Sequence, residues 1–338
     1  MIAALVVLAA LAAAGATAAS FSRDWRLALL AHFRPHLAVA CAVLVVAVLA
    51  TDVRVGPKIA VAAMLAGAAA VHIREIRRTT VAGLPTGGDR RLRIAFANLL
   101  RQNQDAQSVI DWIRREKVDV FVAAETHDHW PRALAALTGE LPHVAGHRWG
   151  DVLVFSRYPI AGEPRHIFAN VGYAVAVETE GITVVAVHTA SPQMRALSLA
   201  CDELLETIGR MVPTIPGPVV AVGDFNATPW SAQIVKLIAD AGLTVGPGAR
   251  LGTFPAVLGR WRIPAWLAIP IDLVLAGPGA RVVERRHGPR IGSDHWPVVA
   301  EVTYETRCGV SPASKSAPVS ATRAVNTGDD GPPMIHSA

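Results

Sequence analysis

Pro218-Val219-Val220-Ala221-Val222-Gly223-Asp224-Phe225-Asn226-Ala227-Thr228-Pro229 lies near the middle of the chain and decides its fold. The apolar run at its start predicts a buried strand. Because side chains alternate along a strand, Asp224 and Asn226 share one face of the sheet. A carboxylate can accept a proton from water while an amide donates hydrogen bonds to a phosphoryl oxygen. The stretch therefore predicts a phosphoester-hydrolysing pair, although a plain Asp/Asn turn has the same pattern.

Polar side chains also follow or interrupt several other apolar runs. They are Asn98 after Arg93–Ala97, Glu125 after Val118–Ala124, His188 after Thr183–Val187, Asp272 within Ile271–Leu275, and Asp294 and His295 before Val298–Ala300. Polar groups at several strand ends converge at one edge of a packed sheet, where clefts form. Each of them alone is also typical of a cap or loop residue.

The motifs Gly-Asp-Phe-Asn at 223–226 and Ser-Asp-His at 293–295 resemble those of the endonuclease/exonuclease/phosphatase superfamily, whose members include DNase I. The resemblance covers about Arg93 to Thr303. It implies an α/β (α+β) fold, a four-layer α/β/β/α sandwich of two mixed sheets flanked by helices. It also implies a metal-dependent hydrolase of phosphoric ester bonds that uses attack by water.

The resemblance implies a magnesium site. Its ligands would be Glu125, the principal one, with Asn98 and Asp294. Oxygen ligands suit a hard dication, and Mg²⁺ keeps several of its waters; the residues leave the choice between Mg²⁺ and Mn²⁺ open. Many nucleases of the family carry an acid where this chain has Leu100, so the implied metal shell is thinner.

The resemblance implies a catalytic role for five residues. Asp224 orients or deprotonates the attacking water, and Asn226 donates to the transition-state oxygens. His295, polarised by Asp272, contacts the phosphate, and His188 supplies a second donor. Phosphoryl transfer needs mainly positioning and charge stabilisation, which amides and imidazoles provide.

The front of the chain, residues 1–78, predicts a membrane anchor of about three helices. The chain has 338 residues, of which 52% are hydrophobic and 17% charged. Its most apolar segments are Ile2–Ala19, Leu37–Ala50 and Ile59–Val71, and the last two are short for a span of about 20 residues. A cleaved signal peptide is the alternative for the first segment, because Ala16-Thr17-Ala18 resembles a cleavage site.

The remaining chain divides into three parts. Residues 79–91, with several glycines, predict a linker, residues 92–306 the catalytic domain, and residues 307–338 a disordered tail. Within the catalytic domain, helical periodicity is found at 106–117, 131–141, 194–211 and 231–241. Strand patterns include 152–155, 173–177 and 182–187, with a Glu180-Gly181 hairpin turn between the last two.

Charge favours a lipid substrate over nucleic acid. The whole chain is formally +5, but residues 92–306 hold 19 Lys and Arg against 21 Asp and Glu, a net −2. Nucleic-acid binding draws most of its affinity from cationic contacts to phosphates. The leading hypothesis is therefore a membrane-anchored phosphoesterase acting on a lipid or polyprenyl (pyro)phosphate. An endonuclease or exonuclease acting on DNA or RNA, and a non-catalytic membrane scaffold, are the alternatives.

The side of the membrane that the catalytic domain faces stays open. Basic residues between the first two segments and after the third place the domain in the cytoplasm by the positive-inside rule. The architecture also resembles membrane-bound bacterial family members related to teicoplanin-resistance proteins, which implies an outward-facing domain. Both arguments predict a multi-pass protein of the plasma membrane.

Residues 253–270 carry a separate hypothesis. This apolar, proline-rich stretch contains Trp261 and Trp266, with Arg260 and Arg262 close by. Tryptophan beside arginine is typical of a membrane interface. The stretch is predicted to overhang the site and touch a lipid; packing over the sheet edge is the alternative.

Overall fold

A computed structural model describes residues 2–22, 24–79, 88–147 and 150–305. Most of the predicted linker, residues 80–87, and the predicted tail, residues 307–338, lie outside the described residues. The described chain forms one compact unit.

The first described sheet has six strands. β1 and β2 pair with each other in parallel, and its other strand pairs are antiparallel. Its order is β13-β14-β1-β2-β4-β3. The strands are β1 (Arg90–Asn98), β2 (Val120–Ala124), β3 (His143–Gly146), β4 (Val152–Ser156), β13 (Ala280–His287) and β14 (Val298–Tyr304).

The second sheet also has six strands, in the order β5-β6-β7-β8-β12-β9, and β7 and β8 are its parallel pair. The strands are β5 (Ile160–Phe168), β6 (Gly172–Thr179), β7 (Ile182–Thr189), β8 (Val219–Asp224), β9 (Thr244–Val245) and β12 (Asp272–Ala276). A separate short hairpin joins β10 (Val257–Leu258) to β11 (Trp261–Arg262). The predicted turn between β6 and β7 is confirmed: Glu180 and Gly181 have φ of 51° and 80°, as a two-residue hairpin turn requires.

The two sheets pack face to face, and helices cover their outer faces. Phe96 and Val122 of the first sheet and Val184 and Val222 of the second belong to the core between them. The helices over the first sheet are α5 (Ala106–Glu116) and α6 (Trp130–Leu134); those over the second are α7 (Arg195–Met211) and α8 (Ala232–Ala241). Strands buried on both faces read as continuous apolar runs. The four-layer sandwich is thus confirmed.

Four helices precede the sandwich: α1 (Ile2–Ala19), α2 (Trp25–Ala28), α3 (Arg34–Leu49) and α4 (Val55–Arg78), with a 3₁₀ turn at Leu29–Phe33. Small apolar side chains pack α1, α3 and α4 together, among them Ala10, Cys41 and Leu65. Two stretches, Trp25–Leu49 and Val55–Arg78, are long and apolar enough to cross a membrane, judged by length and composition, whereas the apolar part of α1 is shorter.

Candidate active site

The second sheet places three of the predicted residues side by side. His188 lies near the end of β7, Asp224 is the last residue of β8 and Asp272 the first of β12. The strand register pairs Asp224 with both of the others. Gly223 allows the close approach of β7 and β8, since a Cβ there would lie 1.9 Å from the Val187 carbonyl oxygen. The antiparallel direction of β12 brings its first residue to the edge where β7 and β8 finish.

The first sheet contributes Asn98 and Glu125 at the same edge. Asn98 Nδ2 donates to Glu125 Oε1 at 3.0 Å and to Asp224 Oδ2 at 3.1 Å, which links the two sheets. The other Glu125 oxygen accepts from the Arg101 backbone N–H at 2.9 Å. Glu125 has φ of 58°, a left-handed conformation that is costly for a side-chain-bearing residue and is concentrated at functional sites.

The loop before β14 supplies Asp294 and His295. Ser293 Oγ donates to the Asn98 carbonyl oxygen at 2.7 Å and accepts from the His295 N–H at 3.0 Å, which anchors the loop to β1. His295 Nδ1 contacts Asp272 Oδ2 at 2.9 Å, and its Nε2 lies 3.8 Å from Asp224 Oδ2. The Asp272 carboxylate therefore orients the imidazole so that Nε2 faces the site.

His188 is held in the same manner by an acid that the sequence reasoning missed. Its Nδ1 contacts Asp151 Oδ2, while its Nε2 lies 3.9 Å from Asp224 Oδ2. Asp151 stands just before β4, an apolar run that the sequence does reveal. The signal for Asp151 is therefore an acid directly before an apolar run, whereas the predicted residues His188 and Glu125 follow such runs.

Asn226 is fixed through its backbone and its side chain. Its N–H donates to Asp224 Oδ1 at 2.8 Å, and its Nδ2 donates to the Thr189 carbonyl oxygen at 2.9 Å. Its φ of 46° is again left-handed. Asp224 and Asn226 therefore form one rigid turn at the end of β8.

Burial and neighbouring charges set the protonation states of Asp224, His295 and His188. Burial, and after it the Asp272 carboxylate, raises the pKa of Asp224 to about 6. Burial would lower the pKa of His295, but Asp272, Asp224 and Asp294 outweigh it and raise that pKa to about 10. Burial acts likewise on His188, where Asp151 and Asp224 raise the pKa to about 9. Both imidazoles are therefore hydrogen-bond donors at neutral pH.

Seven of the eight predicted site residues line one cleft of about 290 Å³. They are Asn98, Glu125, His188, Asp224, Asn226, Asp294 and His295. The eighth, Asp272, is buried behind His295. Phe254 also lines the cleft, and its ring centroid lies 4.8 Å from that of His295.

The oxygen-rich side of this cleft fits a divalent cation. Asp294 Oδ1 is buried without a hydrogen-bond partner among the described residues. Burial raises the pKa of Asp294, His295 opposes that shift and nearby Glu125 adds to it, so a cation beside both carboxylates would relieve their repulsion. Asp224, Asp272 and His295 are also close enough together to hold a metal. His295 Nδ1 is engaged by Asp272 and the ring is cationic, however, so Glu125, Asp294 and Asn98 suit a hard cation better.

Comparison with known proteins identifies the relationship. A sequence model of the Endonuclease/Exonuclease/phosphatase family matches residues 95–295. None of the curated proteins compared with the chain matches it.

Several solved structures share the fold. An endonuclease/exonuclease/phosphatase from Beutenbergia cavernae is 21% identical with a TM-score of 0.50, over 64% of this chain and 72% of that chain. The Bacteroides vulgatus protein of the same description is 18% identical with a TM-score of 0.52, over 64% of this chain and 100% of that one. TDP2 from D. rerio, complexed with a single-strand DNA product, is 14% identical with a TM-score of 0.52, over 64% and 100%. The chain therefore belongs to the endonuclease/exonuclease/phosphatase family and is a metal-dependent hydrolase of phosphoric ester bonds.

Proposed function

We propose that this protein is a membrane-anchored phosphoesterase that hydrolyses a phosphodiester or pyrophosphate bond of a lipid or polyprenyl phosphate. The observation that carries the proposal is a set of exposed apolar side chains, here called the rim, on the two segments that also contribute Phe254 and Val171 to the cleft lining. Such a rim is costly in water and favours a substrate or a surface that is itself apolar.

One side of the rim is the loop from Thr253 to Pro270. Phe254, near its start, lines the cleft. Beyond it, Trp261 is 65% exposed and Trp266 76% exposed, and the Arg260 guanidinium lies over the Trp261 ring. Exposed tryptophan with a neighbouring cation suits the headgroup region of a bilayer.

The other part of the rim belongs to the second sheet and the loop before α7. Val171 lines the cleft and is half-exposed. Phe168 lies three residues before it and is 52% exposed, and Met194, next to the cleft-lining Gln193, is 56% exposed. An apolar chain that leaves the cleft along either segment would therefore meet large hydrophobic groups.

In the proposed mechanism, Glu125, Asn98 and Asp294 would hold Mg²⁺. When bound, such a dication offsets charge on the phosphoryl oxygens and lowers the pKa of a coordinated water. Asp224 accepts the proton of the attacking water, a role that its pKa of about 6 suits near neutral pH. Protonated His295 and His188 donate to the phosphoryl oxygens.

The test separates contact with a lipid from chemistry. The full chain carrying Trp261→Ala and Trp266→Ala is assayed with a polyprenyl pyrophosphate in phospholipid vesicles and with the soluble diester bis(p-nitrophenyl) phosphate. The two exposed indoles would be buried in the bilayer surface, so their loss should reduce lipid turnover by about tenfold or more. Turnover of the soluble diester should stay unchanged.

Leu199→Ala is the matched control, because Leu199 is exposed on α7 and lies outside the cleft. Equal losses on both substrates in the tryptophan variant would contradict the lipid proposal. Cleavage of DNA or RNA by the full chain, steeply weakened by salt, would instead support the nuclease alternative.

A further inference from the structure

The segment between α1 and α3 contacts the catalytic domain through buried hydrogen bonds. His32 Nδ1 lies 3.2 Å from Thr228 Oγ1 and accepts from the Thr228 N–H at 3.3 Å. Beside it, the Trp230 indole Nε1–H donates to the Ala31 carbonyl oxygen at 2.8 Å. All four residues are buried, with Thr228 fully so.

These contacts hold the chain that continues from the proposed catalytic pair. Thr228 lies two residues after Asn226 and four after Asp224, and its carbonyl oxygen accepts from the Ser231 N–H at the start of α8. The Asn226 side chain fixes one side of this turn through Thr189. His32 fixes the other side, from a helical segment that enters the apolar bundle.

We propose that His32 is a positioning residue of the active site, which makes the apolar N-terminal segment part of the catalytic unit as well as an anchor. The inference rests on the proposed roles of Asp224 and Asn226. Without His32 the buried Thr228 N–H loses its acceptor, an arrangement that a folded protein avoids. The turn must then shift or open, and it carries the two side chains that would handle the water and the phosphate.

The contact also specifies the tautomer of His32. Because Nδ1 accepts the Thr228 N–H, the ring proton must lie on Nε2. An asparagine at this position can present its Oδ1 where Nδ1 stands, whereas an alanine cannot. His32→Asn is therefore the conservative variant, and His32→Ala removes the acceptor.

The experiment uses the full chain in detergent micelles with Mg²⁺ and bis(p-nitrophenyl) phosphate, so that it does not depend on a lipid substrate. We expect His32→Ala to lower kcat by about tenfold to a hundredfold, the scale of a small misplacement of catalytic groups, with KM unchanged. His32→Asn should recover most of the loss. His36→Ala is the matched control, because His36 lies four residues further on and its ring nitrogens have no hydrogen-bond partner among the described residues.

Hydrogen exchange supplies a readout that needs no substrate. In His32→Ala the amides of residues 226–228, 230 and 231 should lose protection while those of β7 keep theirs. The thermal midpoint should stay near that of His36→Ala. Three results would overturn the inference: wild-type kcat in His32→Ala, unchanged protection at Thr228, or a kcat loss that His32→Asn shares in full. If the lipid assay fails while His32→Ala and His32→Asn behave as expected, the result would count against the lipid substrate alone.

Discussion

Asp272 and His295 form a buried pair, with Oδ2 and Nδ1 2.9 Å apart and both side chains almost fully enclosed. They come from different sheets, since Asp272 opens β12 and His295 precedes β14. The pair therefore joins the two sheets, and the packing of one sheet on the other sets the orientation of the imidazole in the cleft.

Asp272→Asn should make activity more sensitive to alkali. Burial lowers the pKa of His295, and Asp272 is the largest of the groups that raise it to about 10. Without that carboxylate the His295 ring loses its proton at lower pH. The deprotonated Nε2 can then no longer donate a hydrogen bond to the phosphate. We expect kcat to fall by about 10²-fold at neutral pH and its alkaline limb to move to lower pH. A kcat–pH profile checks this, and an unmoved alkaline limb would contradict it.

Asp224→Asn should stabilise the metal-free protein while it removes activity. The raised pKa of about 6 means that the native state keeps a proton on Asp224 that the unfolded chain releases at lower pH. The associated stability is full below the ordinary aspartate pKa of about 3.8, which applies to the unfolded chain, and is lost as pH rises through the folded pKa of about 6. At pH 8 the buried carboxylate is charged beside Asp272, and asparagine removes this cost, about 1–3 kcal/mol.

The measurement for Asp224→Asn is the unfolding midpoint of the full chain in EDTA at pH 8. Glu163→Gln on the exposed strand β5 controls for a simple loss of charge. A midpoint below the wild-type value would show that Asp224 is stabilising in the absence of metal, contrary to the expectation.

Glu125→Gln should weaken the metal site without disturbing the fold. The substitution keeps an oxygen for the Arg101 N–H, gives up the acceptor for Asn98 Nδ2 at the cleft surface, and removes the charge that a dication requires. We expect Mg²⁺ affinity to fall by about 10-fold to 100-fold. Titration of activity with Mg²⁺ measures this, with Glu140→Gln as the control because Glu140 is exposed and ion-paired only at the surface. An unchanged titration would remove Glu125 from the ligand set.

The ends of the central strands could be predicted from sequence because these strands are buried. Runs such as Val219–Val222 are enclosed on both faces, so they are apolar at every position, and a polar residue at the end stands out. Strand β5 was not predicted, because it is an exposed edge strand whose burial does not alternate cleanly. The predicted helix 131–141 is shorter than expected: α6 ends at Leu134 and continues as a 3₁₀ turn over 135–137.

Asp151 was missed for a different reason. Its place in the site depends on β4 pairing antiparallel with β2, so that Val152 lies beside Ala124 and the start of one strand meets the end of the other. An apolar run does not reveal whether its strand pairs in the parallel or the antiparallel direction. The contact of His32 with Thr228 joins residues 196 positions apart, so no local sequence pattern predicts it either.

The first helix is expected to remain in the mature protein although it contains the cleavage-like Ala16-Thr17-Ala18. Thr17 Oγ1 lies 3.0 Å from His72 Nε2 on α4, and His72 is fully buried. Arg34 of α3 likewise donates to Ser20 just after α1. Ionisable side chains within an apolar bundle require such partners, and cleavage after Ala18 would remove that of His72.

Intact mass of the protein extracted from membranes checks this, and a mature N-terminus between residues 19 and 24 would contradict it. Thr17→Val removes the hydroxyl at nearly constant shape and should destabilise the bundle by about 0.6–1.7 kcal/mol, the range found for interhelical hydrogen bonds in membranes. Thr17→Ser keeps the hydroxyl and should unfold like the wild type. If Thr17→Val and Thr17→Ser unfold at the same temperature, His72 does not depend on the first helix and the case for its retention fails.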